Sequence, residues 1–325
     1  MAKSTGVLYG KSKLYKTWQL GLLSKYIYEK TGKPSLLITA DGGGFTPAQQ
    51  FVDAGLIQPL VITNDPSRLA LMRKIVEGYW PEEINKEGIR TSKKMVKVPP
   101  DTIGGYLFEG VTSIAESIQS LYRGKKTGMN PAYTEVVQSD LTMENGSAMS
   151  QVIIGGLSMD SYSLTQAEMK YLLNFSWTLP APFIWWTGHE ASSEDEMTRK
   201  VFRGLALVGS AATPRIGKDI GYLIHAYQVE VDKKVGDKTE RVVEVRYYFQ
   251  SHPDNLMPNV FWEASPRIAG DLMPQLLEKY PGGYFIPKYT EGLADYLRFE
   301  DSLVEKGTND LVEWKKNQDA KVTNG

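Results

Sequence analysis

Gly6-Val7-Leu8-Tyr9-Gly10-Lys11-Ser12-Lys13-Leu14-Tyr15-Lys16-Thr17-Trp18 carries the strongest fold signal in the chain. Gly6 to Gly10 is a short apolar run of the kind a buried strand carries. From Trp18 the apolar residues Leu22, Leu23, Tyr26 and Ile27 recur at helical spacing as far as Glu29. Strand, glycine, basic loop and helix follow one another in the order in which the phosphate-loop pattern G-x-x-x-x-G-K-[ST] is built. Gly10, Lys16 and Thr17 stand at the spacing that pattern asks for, and Tyr15 takes the place of its second glycine. The chemistry needs backbone N–H groups curled around phosphates, an ammonium for the β and γ oxygens and a hydroxyl for Mg²⁺. Gly10, Lys11, Ser12, Lys13, Leu14, Tyr15, Lys16 and Thr17 are therefore the candidate nucleotide-binding set. A large side chain at Tyr15 is expected to obstruct the backbone conformation and the close phosphate approach that glycine permits. The competing reading is that Lys11, Lys13 and Lys16 are solvated charges of an ordinary strand-to-helix loop.

Working outward, Thr31-Gly32-Lys33-Pro34 stops the helix, and Ser35 to Thr39 starts a second buried strand that ends at Asp41-Gly42-Gly43-Gly44. The opening is thus βαβ-like. A short helix over Ala48 to Asp53, a strand over Leu60 to Thr63 and an amphipathic helix over Pro66 to Tyr79 come next, followed by a polar, proline-punctuated excursion over 80–101. Gly105 to Glu109 reads as a strand and Thr112 to Tyr122 as its helix. The Gly/Asn/Ser/Thr-rich stretch 123–150 reads as a polar loop or insertion. A helix over Ser163 to Phe175, a strand over Pro182 to Thr187 and a hairpin turning at Gly236-Asp237 complete the pattern. The expected fold is α/β, a mainly parallel sheet flanked by helices with an antiparallel hairpin near the C-terminus. Its core spans 1–255, and 256–325 forms an extension of short elements with a loose tail.

The chain has 325 residues, enough for a core that needs no disulfide or metal staple. Lys and Arg number 37 against 38 Asp and Glu, so no global positive field draws nucleic acid or an anionic membrane. The absence of cysteine excludes thiolate nucleophiles and thiolate metal sites, and only His189, His225 and His252 are left as imidazoles. No run approaches the ~20 apolar residues of a membrane span, and no basic-then-apolar leader opens the chain. A dinucleotide-binding oxidoreductase would want G-x-G-x-x-G after the first strand, where GKSKLYK stands.

Four stretches together resemble phage-encoded RecA-like P-loop NTPases, phage ATP-binding or AAA-type proteins, here with a degenerate phosphate loop. They are Gly10 to Thr17; ITADGGG with AGLIQPLVI at 38–62; YLFEGVTSIAESI at 106–118; and IWWTGHE at 184–190 with PRIGKDI at 214–220. The resemblance covers roughly residues 5–255 and implies a RecA-like core with ATP and Mg²⁺ between the first loop and neighbouring strand ends. It gives Lys16 the β/γ-phosphates, Thr17 the Mg²⁺, and Glu109 the acidic position that holds Mg²⁺ and organises water. Asp41 becomes an acidic neighbour or base, and His189 a polar sensor of the γ-phosphate. Glu109-Gly110 stands where such proteins carry Asp-Ser, a second departure after Tyr15, and both bear on hydrolysis more than on fold. Arg215 and Lys218 are candidates for reaching a neighbouring subunit's nucleotide in trans, which requires a homo-oligomer.

Each residue also has a plainer reading. Asp41 can be an Asp-Gly turn, Glu109 a generic strand-end acid, His189 a surface imidazole, and Arg203, Arg215 and Lys218 solvent charges. His225 reads as structural. The basic runs 93–97 and 124–126 and the aromatic triplet Tyr247-Tyr248-Phe249 are the local patches through which single-stranded DNA can be met, the triplet with at least one ring facing outward. Two functions compete. One is an ATP-binding protein or Mg²⁺-dependent ATPase in phage DNA metabolism, serving recombination, annealing or replication in the host cytoplasm. The other is a virion-associated structural or assembly protein that meets other phage proteins through an inherited core, with Tyr15 filling the nucleotide pocket and no turnover.

Overall fold

The computed structural model describes residues 3–41, 45–123, 132–156, 161–206, 220–235, 238–251, 260–268, 270 and 272–323. In chain order the first half carries β1 (Ser4–Gly10), α1 (Lys16–Thr31), β2 (Ser35–Thr39), a 3₁₀ turn at Thr46–Ala48, α2 (Gln49–Asp53), β3 (Ile57–Val61), α3 (Arg68–Val76), β4 (Tyr79–Pro81), β5 (Met95–Lys97), β6 (Gly105–Glu109) and α4 (Val111–Arg123). The second half carries β7 (Ala132–Thr142), β8 (Ala148–Gly156), α5 (Ser161–Ser176), β9 (Phe183–Gly188), β10 (Glu190–Glu194), β11 (Val201–Leu205), β12 (Tyr222–Val235), β13 (Lys238–Tyr248), β14 (Val260–Trp262), α6 (Met273–Lys279), β15 (Tyr284–Phe285) and α7 (Leu293–Thr323).

Eight strands form the main sheet in the order β15-β13-β12-β1-β9-β6-β2-β3. From β12 to β3 every pairing is parallel, and β13 and β15 add an antiparallel edge. The inner strands are short and apolar throughout because both faces are covered, as parallel sheets require. Successive side chains alternate between two cores. Val7, Ile38, Phe108 and Trp186 pack toward α3, α4 and α5. Leu8, Leu37, Leu107 and Trp185 pack toward α1, α6 and α7. The Trp185-Trp186 pair is thereby split, one indole per face, both fully buried.

Register sets the functional edge. Tyr9 lies level with both Gly188 and His225, and Thr39 lies level with Glu109, so β1, β9, β6 and β2 all end along one side of the sheet. β9 intervenes between β1 and β6, which leaves a gap over its end between the loop after β1 and the carboxyl end of β6. Open α/β sheets hold their ligands in such a crevice.

Three expectations change. The stretch read as a polar loop or insertion carries the antiparallel pair β7–β8, because its Thr- and Val-containing runs can alternate across a ribbon. The segment expected to hold only short elements contains a 31-residue helix, α7, which carries no proline and keeps apolar residues at helical spacing. Tyr247, Tyr248 and Phe249 are all fully buried, so none presents an outward stacking face. β15 and the loops and helices of the extension cover both sides of that strand. The 124–126 basic run lies outside the described residues.

Candidate functional site

A cavity of about 430 Å³ opens at the carboxyl edge, between Ser12–Trp18 and the ends of β2, β6 and β9. Gly10 turns the chain out of β1, and a Cβ there would lie 2.2 Å from the Ala226 carbonyl oxygen on β12, so no other residue fits. Lys13 and Tyr15 both take left-handed backbone conformations, with φ of 63° and 60°. Tyr15 is the residue at the N-cap of α1, and its carbonyl accepts the Gln19 N–H at 2.9 Å.

Of the expectation that Tyr15 obstructs the loop, the backbone half is corrected: the left-handed conformation is reached without glycine, while the side chain lines the cavity. The Tyr15 backbone adopts the conformation usually left to glycine, at a cost of ~1–2 kcal/mol, and its side chain is 59% exposed instead of plugging the cavity. Neighbouring Leu14 holds the loop in that shape: its side chain is buried, and its carbonyl accepts a hydrogen bond from the buried Tyr247 hydroxyl. The first turn of α1 has no side-chain cap and no acidic residue. Its N–H groups and the positive end of its dipole are therefore left for an anion.

Lys16 Nζ donates to the carbonyl of Gly10 at 3.0 Å and to that of Lys11, which folds the ammonium back over the loop. Burial lowers its pKa to about 8, against the pull of Glu190 and Glu109 in the other direction. Thr17 Oγ1 donates to Glu109 Oε1 across the gap between α1 and β6. Glu109 is 5% exposed, and its Oε2 has no hydrogen-bond partner among the described residues. Burial raises this carboxyl to about 7 and the charge of Asp41 adds to the effect, while the hydroxyls of Thr17 and Thr39 and the Lys16 ammonium oppose it. The Thr39 hydroxyl favours the carboxylate from the next strand without reaching Oε2 in hydrogen-bond geometry.

Asp41 lines the same cavity, and its N–H donates to Thr39 Oγ1 at 3.1 Å. His189 closes the far wall, with Nδ1 3.4 Å from Ser12 Oγ and its backbone N–H on Thr112 Oγ1 at 3.2 Å. Burial and the Lys16 charge lower the imidazole's pKa, which keeps it neutral at pH 7. The next side chain points the other way: Glu190 Oε2 meets His225 Nε2 at 2.8 Å, and its Oε1 pairs with Arg203. His225 is thus structural, as read from sequence, whereas Arg203 is a half-buried ion-pair partner of Glu190 and not a solvent charge.

The structure brings Lys16, Thr17, Glu109, Asp41 and His189 to one cavity. Arg215, Lys218 and Gly42–Gly44 lie outside the described residues, as does His252. The sequence assigns Thr187 no role beyond its strand, and Thr112 only the place of the threonine in the third stretch of the resemblance. Thr187 Oγ1 accepts the Gly110 N–H at 2.9 Å and so ties the end of β9 to the end of β6. Thr112 passes its own hydroxyl proton to the Ala206 carbonyl at 2.8 Å while accepting from His189. A signal was present: the apolar runs of β2, β6 and β9 each close on a hydroxyl or an acid, Thr39, Glu109 and Thr187.

The donor set fits a hard divalent cation. A threonine hydroxyl and a buried carboxylate with one oxygen unpaired are oxygen donors, and Mg²⁺ usually takes only one or two carboxylates beside phosphates and water. No group of three or more His, Cys, Asp or Glu that could hold a metal by themselves occurs among the described residues.

No family model matches the sequence. No curated protein matches it either. Among solved structures, the chain aligns with a KaiC-like protein from the hyperthermophilic archaeon Pyrococcus horikoshii at 10% identity and a TM-score of 0.32, over 74% of this chain and 78% of that one. It aligns with the RadB recombinase at 10% identity and a TM-score of 0.34, over 75% and 87%. A DnaB-like replicative helicase gives 6% identity and a TM-score of 0.33, over 80% and 58%. Scores this low leave the reading of the site to its own geometry. Among the described residues no helix is long and apolar enough to cross a membrane.

Proposed function

We propose that the chain is a RecA-like P-loop protein that binds ATP with Mg²⁺ at this cavity and hydrolyses it. The observation that carries the reading is the Thr17–Glu109 hydrogen bond, formed beside Lys16 where a parallel sheet and the open N-terminus of α1 meet. The loop N–H groups and Lys16 hold the β- and γ-phosphates, for which Lys16 has only to leave two carbonyl oxygens. Thr17 and Glu109 hold Mg²⁺, which when bound neutralises charge on the phosphate oxygens. Asp41, just past the end of β2 beside the end of β6, orients the attacking water. His189, neutral and already hydrogen-bonded to Ser12, contacts the terminal phosphate. Arg215 and Lys218 of a second copy enter by the sequence resemblance alone, as does the setting in phage DNA metabolism.

In the alternative reading the core is a scaffold without turnover, and Tyr15, which lines the cavity with its side chain largely exposed, hinders nucleotide entry. Titration calorimetry of Mg²⁺-ATPγS into the folded protein tests the proposal. Micromolar binding that weakens at least tenfold in Lys16→Ala supports it; a folded wild-type protein that takes up no nucleotide refutes it.

A further inference from the structure

The largest of the described cavities, about 1110 Å³, lies at the opposite edge of the sheet, beside the first residues of β1, β9 and β12 and between α1 and α7. One of its walls is a helix that outruns the body. Up to Leu303, α7 packs into the core, but of residues 304–316 every one is exposed except half-buried Gly307. A helical segment of that length held to the body by little more than a 4.0 Å ion pair from Glu305 to Lys30 is marginal in water. Leu297, Glu300, Val304, Gly307, Leu311 and Trp314 follow alternating steps of three and four, so the stripe that enters the core continues along the free half. There it leaves Leu311 68% and Trp314 61% exposed, both on the cavity wall.

At the inner end of the stripe sits Glu300, 2% exposed, with no hydrogen-bond partner for either carboxylate oxygen among the described residues. The Tyr222 hydroxyl, the Arg267 guanidinium and the Ile268 N–H lie near it and favour its charged form, against the charge of Asp301, yet none reaches hydrogen-bond geometry. A buried carboxyl left so is held at a cost in stability. The cavity's other charges lean the same way: Asp301, Glu305 and Asp310 face only Lys30 and Arg267, and Lys30 is already bridged to Asp301 at 2.9 Å. An apolar stripe, an acidic rim and an unsatisfied buried acid describe what is missing.

We propose that this groove binds an amphipathic helix of a partner protein that carries a lysine or arginine on its apolar face. The cation reaches Glu300, and the apolar residues cover Val304, Leu311 and Trp314, a helix-in-groove arrangement. From Glu300 to Trp314 the groove runs ~21 Å at ~1.5 Å per residue, room for about four turns of the incoming helix. The groove is remote from the nucleotide cavity and stands whether or not ATP binds there.

The test uses a fluorescein-labelled 14-residue amphipathic helix of leucine and lysine, with a counterpart in which glutamate replaces lysine, titrated into the full chain and followed by anisotropy. The leucine–lysine peptide is expected to bind the wild-type chain. Its affinity is expected to fall at least tenfold in the double variant Leu311→Ser/Trp314→Ser, whose sites are exposed and leave the fold intact, and in the near-isosteric Glu300→Gln. The glutamate peptide is not expected to bind. Absence of binding, equal binding of both peptides, or an affinity unchanged in the double variant overturns the proposal. A molar mass that rises with concentration, and returns to that of the monomer in the double variant, assigns the groove to a second copy and overturns it as well.

Discussion

Replacing Glu109 by glutamine separates what the site does for function from what it does to stability. Glutamine keeps the shape and an oxygen that accepts from Thr17, removes the charge and sets an amide NH2 in the place of Oε2. In the folded chain the Glu109 carboxyl titrates at about 7, against 4.5 ordinarily, because it is buried. At ~1.4 kcal/mol per pH unit that gap corresponds to about 3 kcal/mol. The sign follows from proton counts: between 4.5 and 7 the folded state holds the proton more tightly than the unfolded state, so the contribution is present below 4.5 and is lost as pH rises through 7. About 2.5 kcal/mol of it disappears between roughly pH 5 and pH 8. Glu109→Gln should therefore match the wild type near pH 5 and exceed it near pH 8, by about 1 M in urea midpoint for a slope of ~2–3 kcal/mol per M. Glu300, also raised to about 7 by burial, titrates in both proteins and cancels from the comparison. The same variant should lose the Mg²⁺ dependence of ATP binding. A stability gap that is equal at both pH values, or a variant weaker than wild type at pH 8, would refute the argument that an uncompensated carboxylate is held at this site.

Further outcomes follow from the same geometry. Lys16→Ala should weaken Mg²⁺-ATP binding by roughly 10- to 100-fold, the loss of a charge-assisted contact of ~1.5–3 kcal/mol, with calorimetry as the readout. Wild-type binding should be bell-shaped in pH, declining below about 7 as Glu109 takes up a proton and above about 8 as Lys16 loses one; a flat profile from pH 6 to 9 contradicts the assignment of both groups. Lys16 acts on stability in the opposite sense to Glu109, since its lowered pKa means that the unfolded chain holds more protons between about 8 and 10.5, so what its burial costs is regained over that window. Gly10→Ala places a methyl 2.2 Å from the Ala226 carbonyl and should cost about 2 kcal/mol or more in chemical denaturation, with nucleotide binding lost along with the β1–β12 register.

The sequence by itself determined the alternation of apolar strands with amphipathic helices, the break at Gly10 and the placing of Lys16 and Thr17 at the start of α1. These are local matters: strand hydrophobicity, helical periodicity and a glycine are legible within a few residues of one another. His225 could also be read as structural, because it lies inside an apolar run. Tertiary structure alone decided that Glu109 lies opposite Thr17, since that depends on β9 entering the sheet between β1 and β6, and strand order is not written in local pattern. It decided that Tyr15 can stand where glycine is expected, because the anchoring of Leu14 by Tyr247, a residue far along the chain, holds the left-handed turn. It turned Tyr247, Tyr248 and Phe249 inward, because β15 pairs outside β13 and the C-terminal elements cover both faces of β13, neither of which local pattern shows. It also left residues 304–316 of α7 largely uncovered, because periodicity shows that a stripe exists but not whether the chain supplies anything to bury it.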